Sequence, residues 1–249
     1  MVDIVAVSDV EKNLTNKEKK TYDLLIGCGD LSPGYMDYMA SEFKARFSIL
    51  IHGNHDRKYF NNPYKDENEK YSSVYRGFFI LNHGMINVKK YIKKDLLIAG
   101  FSGALSYGKR PFHFKESDVT KLKREISIKM LLKRQNRIDI MVSHTPPLIK
   151  KTLEKFDSYH QPSEKLAEIF EKYSPNIWLY GHIHRNYSFQ DFDFLLKKEE
   201  KETFLINSEP VKFIKYDEEN KKIISIKNKK EINTKTVIFK WGDNYVQRE

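Results

Sequence analysis

Six short apolar runs with little alternation of apolar and polar residues constrain the fold of this chain more than any other feature. Such runs are typical of central strands that are covered on both faces. They lie at residues 3–7, 23–26, 48–51, 96–99, 138–142 and 177–180. Between them, apolar residues recur at three- and four-residue spacing, which predicts helices at residues 36–47, 119–130 and 166–173. This alternation of strands and helices predicts an α/β fold.

The last sixty or so residues have a different pattern. Runs at residues 192–196, 203–206, 211–216, 222–226 and 236–241 predict strands separated by polar turns, as in an antiparallel meander. No linker rich in Gly, Pro or Ser precedes them. We therefore expect a single domain over residues 1–249, with residues 190–249 as its C-terminal β-rich part.

Composition limits the classes of site. The single cysteine, Cys28, excludes an intramolecular disulfide and a thiolate zinc cluster, and its place at a strand end favours a small core residue over a reactive thiol. Any metal must then be held by nitrogen and oxygen. No apolar run is long enough to cross a bilayer and no signal peptide is apparent, so the sequence predicts a cytoplasmic protein without a membrane partner.

The formal net charge of +10 has two explanations. Residues 109–137 contain 10 basic and 3 acidic residues, whereas residues 190–249 are nearly balanced, with 13 basic and 12 acidic residues. The basic segment could attract phosphate, including that of nucleic acid. We favour the alternative that lysine fills solvated faces, because no nucleic-acid-binding motif accompanies the charge.

Five short polar motifs follow predicted strands, in order along the chain. They are Ser8-Asp9-Val10-Glu11, Gly29-Asp30, Gly53-Asn54-His55-Asp56, Ser143-His144-Thr145-Pro146-Pro147 and Gly181-His182-Ile183-His184. Because the carboxyl ends of strands in an open α/β sheet collect functional residues, these motifs should open onto one edge. Each motif is weak alone, since an aspartate after glycine is usually a turn residue. In order and after strands, they predict two neighbouring divalent metals with nitrogen and oxygen ligands, as phosphoester hydrolysis requires.

On these motifs the chain resembles the calcineurin-like metallophosphoesterase superfamily over most of residues 1–208. The resemblance implies a four-layer αββα sandwich of two mixed β-sheets flanked by helices. It also implies a binuclear centre at which a hydroxide held between the metals attacks phosphorus. The implied ligands are, for the first metal, Asp9, Asp30 and His184, and for the second, Asp30, Asn54, His144 and His182.

Glu11 departs from the family pattern, which usually has histidine there. A carboxylate at this position can still ligate, because residues two apart in extended chain share a face with Asp9, and it favours Mn²⁺ or Fe over Zn²⁺. The alternative is that Glu11 lies outside the ligand set. Together with Glu11, three segments resemble a bacterial subgroup of the superfamily, namely residues 28–35, 100–103 and 157–160.

Several further residues are candidates for the reaction itself. His55 is expected to donate to phosphate oxygens or to protonate the leaving group, with Asp56 orienting it. Arg110 and His113, in a loop that could overhang the site, and His160 are weaker candidates for binding substrate.

The sequence thus predicts a phosphoric ester hydrolase, a phosphodiesterase or phosphatase whose substrate could be a nucleotide or nucleic acid. The alternatives are a nuclease, or a binding or scaffold protein that keeps the fold with little or no catalysis. The sequence does not define an oligomeric state.

Overall fold

The computed structural model describes residues 1–59, 74–75, 77–106, 112–132, 137–149, 159–184, 193–198, 201–227, 238–240 and 246–247. Four α-helices are described, α1 (Pro33–Glu42), α2 (Lys89–Ile92), α3 (Glu116–Leu132) and α4 (Glu164–Tyr173), and a 3₁₀ helix covers Asp56–Tyr59. The strands of the first half are β1 (Val2–Val7), β2 (Leu24–Gly27), β3 (Phe47–Leu50), β4 (Val74–Tyr75), β5 (Phe78–Ile80), β6 (His83–Asn87), β7 (Leu97–Phe101), β8 (Ala104–Leu105) and β9 (His113–Phe114). Those of the second half are β10 (Ile140–Ser143), β11 (Ile177–Tyr180), β12 (Phe194–Lys198), β13 (Lys201–Asn207), β14 (Val211–Asp217), β15 (Lys222–Lys227), β16 (Ile238–Lys240) and β17 (Val246–Gln247).

Two mixed sheets contain all these strands except the short β8–β9 pair. The first sheet has the order β15-β14-β1-β2-β3-β5-β4, and the second has the order β17-β16-β12-β13-β11-β10-β7-β6. In the first, β1, β2, β3 and β5 run parallel. In the second, β7, β10, β11 and β13 run parallel. The carboxyl ends of each parallel set therefore lie at one edge of its sheet.

Three apolar clusters separate four layers. Alternate residues of β1 face opposite ways, so that Ile4 packs between the two sheets and Val5 packs toward α1. On the far side of the second sheet, Trp178 of β11 packs with residues of α3 and α4. The result is the predicted αββα sandwich, in which the central strands are covered on both faces.

The six predicted central strands and three predicted helices are all present, with boundaries that differ by a few residues. The antiparallel meander predicted at the C-terminus is right for two strand pairs, β12–β13 and β14–β15, and wrong for β13–β14. Strand β13 pairs in parallel with β11 in the second sheet, while β14 pairs antiparallel with β1 in the first. These successive strands do not pair because the chain crosses from one sheet to the other between them. The prediction of a single domain stays a prediction, which this sharing of strands supports.

No helix in the described part of the chain is both long and apolar enough to span a membrane.

Candidate metal centre

The loops that follow the parallel strands of both sheets bring their polar side chains together. Asp9 follows β1, Asp30 follows β2, and His144 follows β10. One ligand atom from each of these three residues lies within 4.8 Å of the other two. The two sheets thus contribute to one cluster, as expected for motifs at carboxyl strand ends.

His144 is the centre of this cluster and is fully buried. Its Nδ1 lies 2.8 Å from the carbonyl oxygen of Cys28, which can only accept, so Nδ1 carries the proton. Its Nε2 lies 3.1 Å from Oδ1 of Asn54 and 3.3 Å from Oδ2 of Asp30. With the proton on Nδ1, Nε2 of the neutral ring is a hydrogen-bond acceptor. Two oxygen atoms that are also acceptors therefore face Nε2.

This convergence requires a positive charge. Burial lowers the pKa of His144, but the carboxylates of Asp30 and Asp9 outweigh it and raise the pKa to about 9. Burial also opposes ionisation of Asp30, yet His144 and the backbone N–H of His55 hold its pKa well below its usual range. A proton on Nε2 would let the ring donate a hydrogen bond to the oxygens of Asn54 and Asp30. A metal cation at the same place would instead be bound by Nε2 and by both oxygens.

His182 lies beside His144, with ring centroids 5.0 Å apart. Its backbone N–H donates to both carboxylate oxygens of Asp9, at 3.2 and 3.1 Å. Its Nε2 lies 3.1 Å from the carbonyl oxygen of Tyr159, so Nε2 carries the proton and Nδ1 keeps a lone pair. Burial, reinforced by His144 and His160, lowers the pKa of His182 well below its usual range.

Two further predicted histidines, His160 and His184, lie next to His182 or to each other. The ring of His160 lies 5.0 Å from that of His182 and 5.7 Å from that of His184. Nδ1 of His184 faces Oε2 of Glu209 at 3.7 Å. The structure therefore brings His160 to the cluster, where its role as a substrate contact stays a prediction.

The backbone at the cluster is held in an uncommon conformation. Asp9, Asp30 and His182 have φ angles of 62°, 58° and 67°, in the left-handed region. Strain of this kind costs on the order of 1 kcal/mol or more per residue and is typical of functional sites. Close packing accompanies it, because a Cβ on Gly53 would collide with Asp30, and one on Gly181 with Ser8 and Asp9.

Asp56 holds together the loops that contain Gly53 and Asp30. Its Oδ2 accepts from the backbone N–H groups of Gly53 and Asp30, at 2.8 and 2.9 Å. Burial and the Asp30 carboxylate raise the pKa of Asp56 to about 7. His55 is exposed and donates its backbone N–H to Oδ1 of Asp30 at 2.8 Å. The described contacts of Asp56 thus place Asp30 and its loop, and an orienting effect on His55 stays a prediction.

Glu11 is not a member of the described cluster of Asp9, Asp30 and His144. It is exposed, and its Oε1 accepts from the backbone N–H of Ser32 at the start of α1. That contact suits a carboxylate at a helix N-terminus. Ligation by Glu11 stays a prediction.

Gly103 and Phe112, which precede α3, lie beside His52, the residue before Gly53. Gly103 N–H donates to the carbonyl of His52, and the ring of Phe112 lies 4.6 Å from that of His52. His113 follows in β9, and Arg110 lies outside the described residues. Substrate binding by these two residues stays a prediction.

Cys28 is fully buried, and burial raises the pKa of its thiol to about 12. This favours the predicted role as a core residue and leaves nitrogen and oxygen as the donors at the site.

Two contributors were not predicted from the sequence. The carbonyl of Tyr159 and the carboxylate of Glu209 each face a ring nitrogen of a predicted histidine ligand. The one sequence feature that could have indicated Glu209 as a site residue is its place in the polar segment Asn207-Ser208-Glu209-Pro210, between two predicted strands.

Comparison with known proteins agrees with this geometry. The family model for calcineurin-like phosphoesterases matches residues 5–186. The chain belongs to this family. Family membership supports metal-dependent phosphoester hydrolysis, and hence a hydrolase with a phosphoester substrate. No curated protein sequence matches the chain significantly.

Solved structures show the same fold. One crystal structure is 13% identical, with a TM-score of 0.55, covering 90% of this chain and 98% of the other. The crystal structure of TT1561 of Thermus thermophilus is 12% identical, with a TM-score of 0.52, covering 91% of this chain and 98% of that one. At this identity the likeness concerns the fold alone.

The residues present fit divalent cations. Carboxylates, an amide oxygen and imidazole nitrogens converge, and this donor set suits Mn, Fe or Zn. The proton positions inferred for His144 and His182 leave the other ring nitrogen of each as a donor to metal.

Proposed function

We propose that this protein is a metal-dependent phosphoesterase with a centre for two divalent cations, acting on phosphomonoesters or phosphodiesters. The observation that carries the proposal is the convergence of Asp9, Asp30 and His144 from two sheets onto one cluster. Nothing in the packing of the core requires carboxylates and an imidazole to meet there, and their mutual burial is costly without a cation.

The proposed ligands are those implied by the resemblance, with Asp30 shared between the two cations. One cation would be held by Asp9, Asp30 and His184, and the other by Asp30, Asn54, His144 and His182. Bound there, the cations would activate water and neutralise the phosphate oxygens. The oxygen and nitrogen donors suit Mn²⁺, Fe or Zn²⁺, and the preference for Mn²⁺ or Fe rests on the additional carboxylate that Glu11 would supply.

His55 is the proposed acid. It is the exposed histidine next to Asn54, and its backbone N–H is tied to Oδ1 of Asp30. This anchoring fixes the backbone of His55 at the cluster while its side chain remains open to substrate. From there the ring can donate a hydrogen bond to a phosphate oxygen or a proton to the leaving group.

The activity is tested with bis-p-nitrophenyl phosphate and p-nitrophenyl phosphate, using protein purified with Mn²⁺, together with metal analysis. We expect Mn²⁺-dependent hydrolysis that Asp30→Asn abolishes, with loss of bound metal, because Asp30 is the shared ligand. Asp95→Asn is the matched control, since Asp95 is an exposed carboxylate that pairs with Lys89. Absence of both hydrolysis and bound metal would contradict the proposal and favour the scaffold alternative, whereas two bound cations without hydrolysis of either substrate would indicate a narrow natural substrate.

His55→Ala separates catalysis from metal binding. We expect kcat to fall by about 10²- to 10⁴-fold, the usual contribution of a general acid, with the metal content unchanged. If the metal content falls together with kcat, His55 supports the metal centre and is not the acid.

A further inference from the structure

We propose that Glu209 is a positioning residue for His184, which it orients so that Nε2 of the imidazole is presented to a metal cation. The inference rests on the proposed function, because it assigns His184 to the metal centre. It concerns the segment between β13 and β14, where the chain passes from one sheet to the other.

Three consecutive residues of this segment contact the loop that contains His182 and His184. Nδ2 of Asn207 donates to the carbonyl of Ile183 at 2.7 Å, and the N–H of Ser208 donates to the carbonyl of Tyr180 at 2.8 Å. The carboxylate of Glu209 then faces Nδ1 of His184. The contacts of Asn207 and Ser208 with backbone carbonyls hold the chain on either side of His182 in place, whereas Glu209 contacts the side chain of His184.

Burial makes the carboxylate of Glu209 significant. The Glu209 side chain is only 6% exposed, whereas that of His184 is 30% exposed, and Nδ1 and Oε2 are 3.7 Å apart. A buried carboxylate needs a cationic or hydrogen-bond-donating partner, and the Nδ1–H of His184 can be one. With Nδ1 protonated, the lone pair of the neutral ring is on Nε2.

The other two proposed histidine ligands follow the same pattern. In each, one ring nitrogen faces an oxygen acceptor, the carbonyl of Cys28 for His144 and the carbonyl of Tyr159 for His182. Metal-binding histidines usually donate their second ring N–H to such an acceptor, which fixes the tautomer and the ring orientation. His184 differs in that its acceptor is a carboxylate, whose negative charge also makes the imidazole a better donor to metal.

The segment that holds Glu209 is itself anchored by a buried ion pair. Lys212 is fully buried and pairs with Asp193, whose Oδ1 also accepts from the N–H of Asn207 at 2.9 Å. The N–H of Glu209 donates to Oδ1 of Asn207 at 2.9 Å. Glu209 is therefore held by a fixed backbone, which is what a residue that orients another side chain requires.

The test is calorimetric titration of the metal-free full-length protein with Mn²⁺. We expect Glu209→Gln to weaken one of two Mn²⁺ sites by about 10- to 100-fold and to leave the other unchanged. The melting temperature of the metal-free protein should stay close to that of the wild type. Glu202→Gln is the matched control, because Glu202 is an exposed glutamate near the opposite end of β13. Wild-type affinity at both sites in Glu209→Gln would overturn the proposal.

Two further variants separate positioning from folding. Glu209→Asp keeps the charge and should recover part of the affinity that Glu209→Gln loses, whereas affinity no better than that of Glu209→Gln would contradict the proposal. In a His184→Ala background, Glu209→Gln should cause no further loss of Mn²⁺ affinity, and an additional loss would show that Glu209 acts elsewhere. A wild-type protein that binds two Mn²⁺ but hydrolyses no phosphoester would contradict the proposed function without affecting this result.

Discussion

Gly53 lets the loop after β3 approach Asp30 more closely than any other residue would allow. A Cβ at this position would collide with the Asp30 carboxylate and lie 2.7 Å from its backbone nitrogen. Because Asp30 is held by the N–H of His55 and by Asp56, it cannot simply move aside. We expect Gly53→Ala to lower Mn²⁺ affinity at least about 10-fold and to destabilise the fold by about 1–3 kcal/mol. Calorimetric titration and urea unfolding measure the two effects.

Gly34→Ala is the control for that substitution. No atom lies within 4 Å of a Cβ built at Gly34, in the first turn of α1. Since alanine in a helix is favoured over glycine, we expect this variant to be slightly more stable, by about 0.5–1 kcal/mol, with unchanged Mn²⁺ affinity. Equal losses of affinity in both variants would contradict the role given to Gly53.

At the residue scale, the sequence predicts the proposed ligands but not the groups that hold them in place. Asp9, Asp30 and His144 could be predicted because each lies shortly after the end of a strand, and parallel strands end at one edge. Tyr159 could not, because its contact with His182 is made by a backbone carbonyl that any residue has. Glu209 belongs to a loop whose path between sheets depends on pairings that local sequence does not specify.

At the element scale, the N-terminus of α4 is capped from two places. Oγ of Ser163 accepts from the N–H of Leu166 at 3.1 Å and donates to Oε2 of Glu116, the first residue of α3. Glu116 also accepts from the N–H of Glu164 at 2.9 Å. Because removal of this hydroxyl leaves a helix N–H unsatisfied and removes one of the contacts with Glu116 of α3, we expect Ser163→Ala to cost about 0.5–2 kcal/mol in urea unfolding.

Ser117 provides the comparison for that cap, since it lies in the first turn of α3 and takes no part in these capping contacts. Ser117→Ala should change the free energy of unfolding by less than about 0.5 kcal/mol. A loss in Ser117→Ala equal to that in Ser163→Ala would show that the capping contacts do not stabilise α4.

The elements themselves were predictable, whereas some of their partners were not. Runs of buried residues identify β13 and β14 as strands, and the polar residues between them indicate a turn. A short turn favours a hairpin. Here both strands instead complete existing sheets, β13 beside β11 and β14 beside β1. Long-range packing of their apolar faces decides between the two arrangements, and local patterning contains no information about it.

At the scale of the whole molecule, the proposed metal centre depends on how the two sheets are held together, because each sheet supplies part of the cluster of Asp9, Asp30 and His144. At the opposite end of the strands, a buried polar network joins the sheets. The hydroxyl of Tyr216, on β14, accepts from Nδ2 of Asn176 at 2.7 Å and donates to Oδ1 of Asp139 at 3.3 Å. Asp139 directly precedes β10, and its Oδ2 accepts from the N–H of Leu97.

Tyr216→Phe should therefore separate stability from function. Loss of the hydroxyl leaves a buried amide with poorer hydrogen bonding, so we expect a loss of about 1–3 kcal/mol in the free energy of unfolding by urea. The network lies roughly 16 Å from His144 along the strand, since His144 is five positions after Asp139. At that distance effects usually add independently, so Mn²⁺ affinity and kcat should stay within about two-fold of the wild type. Tyr91→Phe, at an exposed tyrosine, controls for the chemistry of the substitution. If Tyr216→Phe weakens Mn²⁺ binding without unfolding the protein, the spacing of the two sheets near Tyr216 affects the proposed metal ligands at the opposite end of the strands. The expected independence of the two ends would then be wrong.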